Sequence, residues 1–230
     1  MRILFAACLF GLSFITSAAT AAADRALITV TGEATVAAKP DIATVTLGVL
    51  TEGTTAAEAM AANSVQLGAI LEQLRSGGID ENDIQTSGLS LNPNWQQPQG
   101  ELAPRVVGYQ AVNQLTVTVR ALDTLGAVLD STIQNGANNF NGLTFGLADP
   151  APTLNEARKR AVADAVARAR LLTGAAGLTL GPVVSITEGG AGTGPVPMFR
   201  MAAEAASAVP VAPGQVSLSA SVTMVFELGQ

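Results

Sequence analysis

Apolar and polar residues alternate along two segments near the start of the chain, and alternation with a period of two is typical of β-strands. The first segment covers residues 27–32, and the second covers residues 42–50, after a Lys39-Pro40-Asp41 corner. Thr55 is followed three residues later by Glu58, which is the spacing of a capping box at the start of a helix. The pattern therefore predicts two strands and then a helix.

The apolar residues of this helix recur every three or four positions, as expected for a helix that buries one face. They are Met60, Leu67, Ile70, Leu71 and Leu74. The helix is predicted to end at Gly77-Gly78, because glycine is common just beyond the last helical turn. Alternation then resumes and predicts strands over 84–91 and 106–120, joined by a loop rich in Pro, Gln and Asn over 92–104.

The second half of the chain continues with two helices and three strands. A short helix is predicted over 122–133 and a long one over 153–177, while the strands are predicted over 143–147, 182–187 and 216–228. Without the short helix, these elements follow each other in the order strand, helix, strand, strand, which is also the order from residue 42 to residue 120 of the first half.

This similarity predicts an internal repeat. Thr153 and Glu156 repeat the capping box of Thr55 and Glu58 after 98 residues. The half-repeats cover residues 42–120 and 140–228. The predicted fold class is α+β, with antiparallel sheets, packed helices and two β-α-β-β units in pseudo-repeat joined by a short helix. The repeat also suggests one pseudo-symmetric antiparallel sheet with the helices packed on one of its faces.

The first 23 residues have the features of a secretory signal peptide. Arg2 precedes an apolar run over residues 3–15, and small residues follow up to Ala21-Ala22-Ala23, which fits a cleavage site after Ala23. A membrane anchor is the alternative, but a spanning helix needs about 20 apolar residues. We therefore predict an exported mature domain, residues 24–230, without a transmembrane segment and without Cys8.

Composition narrows the function. The 230 residues include 12 Lys or Arg, 18 Asp or Glu and no His. A net charge of −6 argues against nucleic acid as a partner, because binders of nucleic acid usually carry a basic surface. The absence of His removes the commonest general base and metal ligand. The lysines are Lys39 and Lys159, and Lys39 beside Pro40 is poorly placed to act as a desolvated base. We predict neither catalytic residues nor a cofactor.

Residues 189–215 form a predicted connection too long for an ordinary turn. Its glycine-rich start at 189–194 resembles a phosphate loop, but prolines follow it rather than a helix, and it has no lysine. Met198 and Phe199 form an apolar patch within it. A binding segment and a flexible connector both remain open for this loop.

Two further pairs of residues are candidates for interaction. Trp95 lies near the start of the predicted 92–104 loop and Tyr109 lies just after it, where they could form a recognition tip or pack at a sheet edge. Arg158 and Lys159 belong to a basic cluster on the second long helix. That cluster could bind anions or another subunit, or it could be a solvated surface whose charges pair locally.

Asp80, Glu81 and Asp83 form the densest acidic cluster after the first helix. The cluster lacks the glycine and the distal glutamate of a calcium-binding loop of the EF-hand type. We interpret it as a solvated turn, and the sequence predicts no metal site.

Five segments together resemble the SIMPL-domain family, and they are spread over the mature chain in order. They are residues 28–34 (ITVTGEA), 39–43 (KPDIA), 108–111 (GYQA), 156–165 (EARKRAVADA) and 222–228 (VTMVFEL). The resemblance implies an exported periplasmic protein of a kind described as immunogenic or as contributing to defence against oxidative stress. It implies no enzymatic activity and carries over no catalytic residue.

Our main hypothesis is a non-enzymatic structural or protective factor that forms a homo-oligomer. Alanine-rich helix faces allow close packing, and open strand edges must be covered or paired. The alternative hypothesis is a module that binds a small molecule or a peptide, closed by the 189–215 loop.

Overall fold

The computed structural model describes residues 26–97, 103–189 and 211–229, which form seven strands and three α-helices. In chain order they are β1 (Leu27–Ala38), β2 (Ile42–Gly53), α1 (Ala56–Ser76), β3 (Ile84–Gln96), β4 (Arg105–Val119), α2 (Leu125–Gln134), β5 (Asn139–Gly146), α3 (Ala151–Ala175), β6 (Thr179–Glu188) and β7 (Val216–Gly229).

The order of elements agrees with the predicted α+β fold, which is confirmed. The order β-α-β-β occurs first as β2-α1-β3-β4 and again as β5-α3-β6-β7, with the short helix α2 between them. The predicted signal peptide lies outside the described residues.

The strands form two antiparallel sheets, in agreement with the predicted fold class, although the repeat suggested one pseudo-symmetric sheet. The four-stranded sheet has the order β3-β4-β2-β5, and the three-stranded sheet has the order β1-β7-β6. The division follows from β1, which pairs along its whole length with β7, from Leu27 opposite Glu227 to Ala38 opposite Val216. After the Pro40 corner, β2 pairs instead with β4 and β5.

Each sheet has its own helix and its own core. Helix α1 packs mainly against β2 and β4, while α3 packs against the three-stranded sheet. The core of the four-stranded sheet is built from leucine, isoleucine and valine side chains of β2, β4, α1 and α2, including Leu47, Ile70, Leu115 and Leu125. The core of the three-stranded sheet pairs apolar strand residues with a row of alanines on α3.

This alanine row brings α3 unusually close to β1. The row consists of Ala157, Ala161, Ala165 and Ala169, all fully buried. Gly32 of β1 lies directly against it: a Cβ added at Gly32 would lie 2.8 Å from Ala165 Cα and closer still to the Ala161 carbonyl oxygen. The backbones of β1 and α3 therefore meet with no side chain between them.

The buried face of α3 ends with Thr173 rather than with the neighbouring Leu172, which is half exposed. The buried row keeps a spacing of four from Ala169 to Thr173, so Thr173 occupies the buried position and its hydroxyl donates to the Ala169 carbonyl at 2.9 Å.

The two predicted capping boxes have different outcomes. At α1 the box is present: the Glu58 amide donates to Thr55 Oγ1 at 3.2 Å, and Glu58 Oε2 accepts from the Thr55 amide at 3.3 Å. At α3 the prediction is wrong, because the helix begins at Ala151, before Thr153. The Asp149 carboxylate accepts from the Ala151 amide at 3.0 Å and serves this end instead.

The first five residues of the predicted 92–104 loop are strand. Strand β3 continues to Gln96, with Asn92 opposite Gln110 and Pro93 opposite Tyr109. Proline is tolerated there because β3 is an edge strand, where an N–H is not needed on the open side. Thus β3 and β4 form one long hairpin that extends well beyond the predicted strand end at residue 91.

Candidate functional site

The most prominent exposed feature is a row of apolar side chains on β3, which we call the β3 stripe: Leu89, Leu91, Pro93 and Trp95. These residues are spaced by two, so they lie on the same face of the strand. Leu89 is 60% exposed, Leu91 40% and Trp95 62%. Isolated exposed apolar residues are ordinary, whereas a row of them on one strand marks an interaction surface.

The position of α1 explains why the β3 stripe is exposed. Leu89 is opposite Asn113, and Leu91 is opposite Ala111. Ala111 and Asn113 are buried on the face that α1 covers, and directly opposed residues share a face. The stripe therefore begins on the helix side of the sheet, but α1 lies mainly over β2 and β4 and leaves Leu89 and Leu91 of β3 exposed.

Trp95 and Tyr109 both lie on the β3–β4 hairpin, and Trp95 belongs to the part of β3 that was predicted to be loop. Trp95 is opposite Val106 near the end of the hairpin, and Tyr109 is opposite Pro93 farther along β4. Val106 and Val107 are also exposed and enlarge the apolar surface around Trp95. The exposed aromatic residue is Trp95, whereas Tyr109 is half-buried.

The basic cluster of α3 is largely paired. Arg158 Nε donates to Glu188 Oε1 of β6 at 2.7 Å, and Arg158 also donates to Asn155 Oδ1 at 2.9 Å. Arg160 pairs with Glu156, and Arg168 pairs with Asp164, each at 2.9 Å and one helical turn apart. Lys159 is exposed. The pairing neutralises much of the charge that an anion would need.

Asp164, the partner of Arg168, also accepts a hydrogen bond from the backbone of β1. The Glu33 amide donates to Asp164 Oδ2 at 3.0 Å, and this bond lowers the pKa of Asp164 below its ordinary value, with Arg168 acting in the same direction. Asp164 therefore joins β1 to α3.

Met198 and Phe199 lie outside the described residues, as does most of the 189–215 loop.

The acidic turn after α1 is built around an arginine. Arg120, at the end of β4, donates from Nε and a terminal nitrogen to the two Asp83 carboxylate oxygens, each at 2.7 Å. These bonds lower the pKa of Asp83 and raise that of Arg120. Asp80 caps the following turn by accepting from the Asn82 amide at 2.8 Å. The guanidinium thus already supplies the positive charge beside Asp83.

A shallow cleft of about 430 Å³ lies beside this ion pair, lined in part by Ile79, Asn82, Thr118 and Thr124.

Within the described residues, no group of three or more His, Cys, Asp or Glu side chains could hold a metal ion. In that part of the chain, no helix is long and apolar enough to cross a membrane.

The sequence pattern missed the most buried polar side chain of α1, Asn63. Its Nδ2 donates to the carbonyl oxygens of Val49 on β2 and Ala111 on β4, at 3.0 and 3.1 Å. The signal was available, because Asn63 lies four residues after Ala59 and seven before Ile70, on the buried face. Its contacts are with the backbone of the core strands, so its role is to attach the helix to the sheet.

The pattern also missed the β3 stripe as a set, although its spacing of two is visible in the sequence. A strand with this spacing is normally half-buried, with its apolar face inside. Whether that face is covered depends on where α1 lies, and this is a tertiary property.

Comparison with known proteins identifies the family. Residues 28–226 match the family model for SIMPL, described as a protein of unknown function (DUF541). The chain is 39% identical over 212 residues to the "26 kDa periplasmic immunogenic protein" of Brucella melitensis, covering 88% of this chain and 85% of that protein. It is 30% identical over 200 residues to the "Uncharacterized protein YggE" of Escherichia coli K12, covering 87% and 80%. It is 33% identical over 181 residues to the protein of the same name from Edwardsiella ictaluri, covering 79% and 75%. The chain therefore belongs to the SIMPL family.

Proposed function

We propose that this protein is exported to the periplasm, has no enzymatic activity, and self-assembles as a structural or protective factor of the cell envelope. A link to oxidative stress and recognition as an antigen are parts of the same proposal. The relatives from Brucella, whose names include "periplasmic immunogenic", support the localisation and the antigenic property. The leader-like first 23 residues support export.

Self-assembly is supported by the observation that carries the proposal: the β3 stripe is exposed along a strand at the edge of a sheet. Apolar surface gains free energy when it leaves water, and an open strand edge gains hydrogen bonds when another strand pairs with it. A single partner that pairs with β3 would bury the β3 stripe and also form these hydrogen bonds.

The charged groups support a role without catalysis. Among the described residues, four groups have clearly shifted pKa values: Glu58, Asp83, Arg120 and Asp164. The three acids are shifted downward by helix-capping bonds, an ion pair or a strand amide, so each is held in its charged form. A catalytic acid or base at neutral pH usually needs the opposite shift.

A protective role would be indirect. Sacrificial oxidation of methionine needs exposed thioethers. Of the methionines that the structure describes, Met224 is buried under α3 and Met60 is half-buried. We therefore propose that any protection against oxidants comes from the assembly or its partner rather than from scavenging by these residues.

Sedimentation velocity of residues 24–230 tests self-assembly. We expect a mass above that of the monomer at tens of micromolar, and a single monomeric species at that concentration would refute this part of the proposal. Export is tested separately by periplasmic fractionation and N-terminal sequencing, with Asp24 expected as the first residue. Leu9→Arg interrupts the apolar run of the leader and should retain the protein inside the cell.

The second candidate function is binding of a small molecule or peptide beneath the 189–215 loop. Val211, near the end of that loop, packs against the core of the four-stranded sheet, so this end of the connection is attached to the domain. Deletion of residues 190–208 keeps Val211 in place. If the loop closes a binding site, the deletion should abolish ligand binding with little change in melting temperature. Loss of the oligomer would favour assembly instead.

A further inference from the structure

The two sheets have four edge strands, β1, β6, β3 and β5, which differ in how well they are protected. Strand β1 is protected by α3. The Glu33 amide donates to Asp164 of α3, and Gly32 lies against the α3 backbone. Glu33 also places a charge in the middle of this strand. Covering elements and charged residues are the usual means of blocking an edge.

Strands β5 and β6 are protected by irregularity. Strand β5 has eight residues, and its pairing with β2 shifts register between Thr46 and Leu47. The pairing of β6 shifts twice between Leu180 and Ser185, and the strand ends at the charged Glu188, which pairs with Arg158. Short length, bulges and charge all discourage pairing with another strand.

Strand β3 lacks most of these protections. It is the longest of the four edge strands, with 13 residues, and contains no charged side chain from Ile84 to Gln96. Its pairing with β4 is uninterrupted from Gly88 to Asn94. Among the described residues, β3 pairs with β4 alone. An edge that is long, regular, uncharged and apolar on one face is a template for another strand.

We propose that β3 pairs antiparallel with β3 of a second copy of this chain, about a two-fold axis that passes near Ser90. This inference rests on the proposed self-assembly and assigns the surface that carries it. The four-stranded sheets of two copies then join into one eight-stranded sheet.

The irregular positions of β3 select this register. The extra residue at the register shift between Thr86 and Gly88 is Ser87, and Pro93 has no N–H to donate. Ser87 and Pro93 each lie three residues from Ser90. In antiparallel pairing about Ser90, each Ser87 therefore faces Pro93 of the other copy. The two irregular positions therefore lie opposite each other, and the regular segment from Gly88 to Asn92 pairs with the same segment of the second copy.

The same register brings the β3 stripes together. Leu89 of each copy is opposite Leu91 of the other, so four leucines meet on the face that α1 leaves uncovered. The contact is isologous, because both copies use the same residues. Such a contact closes after two copies and does not extend into a fibre, which distinguishes it from pairing between two different edges.

Disulfide cross-linking tests the axis directly. The only cysteine of the chain is Cys8, so a Cys8→Ser background makes any introduced thiol unique. Ser90→Cys is expected to give a disulfide-linked dimer on mild oxidation, because opposed residues in such a pair have Cβ atoms about 5 Å apart. The matched control is Ser185→Cys on the other long exposed edge, β6, which should stay monomeric on a denaturing gel.

A charge on the stripe provides the second measurement. Leu89→Lys should raise the dimer dissociation constant about tenfold or more, because each copy loses apolar burial at the interface. Val65→Lys, on the outer face of α1 where the wild-type valine is 74% exposed, should leave it unchanged. The exposed leucine contributes little to the folded monomer, so the melting temperature of each variant should stay near that of the wild type.

The outcomes separate this inference from self-assembly itself. A wild-type monomer at tens of micromolar overturns both. An oligomer that survives Leu89→Lys, or that cross-links through Ser185→Cys as well as through Ser90→Cys, keeps self-assembly but overturns the β3 interface. Cross-linking at position 90 alone, together with dissociation by Leu89→Lys, supports the two-fold pairing.

Discussion

The contact between β1 and α3 yields the sharpest prediction of stability. Gly32→Ala adds one methyl group where the neighbouring atoms are all backbone: the Ala161 carbonyl oxygen, the Ala165 amide nitrogen and Ala165 Cα. A backbone atom cannot rotate away as a side chain can. The strand or the helix must therefore move as a unit to accept the methyl group.

The size of the effect follows from the distances. The new Cβ would lie 2.8 Å from Ala165 Cα, which is 0.6 Å short of the ordinary limit of 3.4 Å, and the other two atoms are nearer. Overpacking of a core costs about 1–3 kcal/mol, and a rigid backbone contact belongs at the upper end. Replacing glycine reduces the entropy of the unfolded chain and returns about 0.4–1 kcal/mol. We expect a net loss of about 2–3 kcal/mol in the free energy of unfolding.

Urea unfolding followed by circular dichroism measures this loss, and the melting temperature should fall by about 4–12 °C for a domain of this size. Gly68→Ala is the matched control. Gly68 is exposed in α1, and a Cβ there meets nothing within 4 Å. Because alanine is the better helix former, this variant should gain about 0.5–1 kcal/mol. If the free energy of unfolding of Gly32→Ala is within 0.5 kcal/mol of the wild-type value, the assignment of a rigid β1–α3 contact is wrong.

Three further predictions concern α1 and the Arg120 ion pair. Asn63→Ala should cost about 2–3 kcal/mol, since it removes two buried hydrogen bonds to strand carbonyls; an equal loss on Ser64→Ala would contradict this. Thr55→Ala should cost about 1 kcal/mol and Thr153→Ala almost nothing, because α1 has a capping box and α3 does not. The lowered pKa of Asp83 means that its ion pair stabilises the fold above about pH 4 and that this stabilisation is lost as pH falls through the lowered pKa. The stability difference between wild type and Arg120→Gln, measured by urea unfolding, should therefore shrink on acidification, and a constant difference would refute the assignment.

The local elements were predictable because their signals are local. Period-two alternation identified the strands, and the spacing of Thr55 and Glu58 identified the start of α1. The same spacing at Thr153 was misleading, because Asp149 and the two prolines around Ala151 start α3 earlier. A capping pair therefore marks the start of a helix only when no earlier residue accepts hydrogen bonds from the amides of the first helical turn.

The division into two sheets was not predictable, because it depends on a pairing between distant residues. Thr31 of β1 is opposite Thr223 of β7, and their hydroxyls lie 3.1 Å apart. Alternation shows that both segments are strands but not which strand is the neighbour of which. The exposure of Leu89 and Leu91 is of the same kind, since it depends on the strands that α1 covers.

The segments that carry the resemblance to the SIMPL family also explain why the family identifies a fold rather than a site. Residues 28–34 contain Gly32, residues 156–165 contain Ala161 and Ala165, and residues 222–228 supply buried positions of β7. Far apart in sequence, these three of the five segments meet at one interface between α3 and the three-stranded sheet, whereas residues 39–43 and 108–111 contribute to β2 and β4 of the other sheet.

The β3 stripe lies in none of these segments and belongs to the other sheet. Residues that specify packing fix the scaffold and leave the surface of that scaffold free to differ. Membership of the family identifies the fold, but it does not identify the edge that the proposed assembly would use. The proposed choice of β3 rests on the long, uncharged sequence of this strand, and cross-linking at Ser90 tests that choice directly.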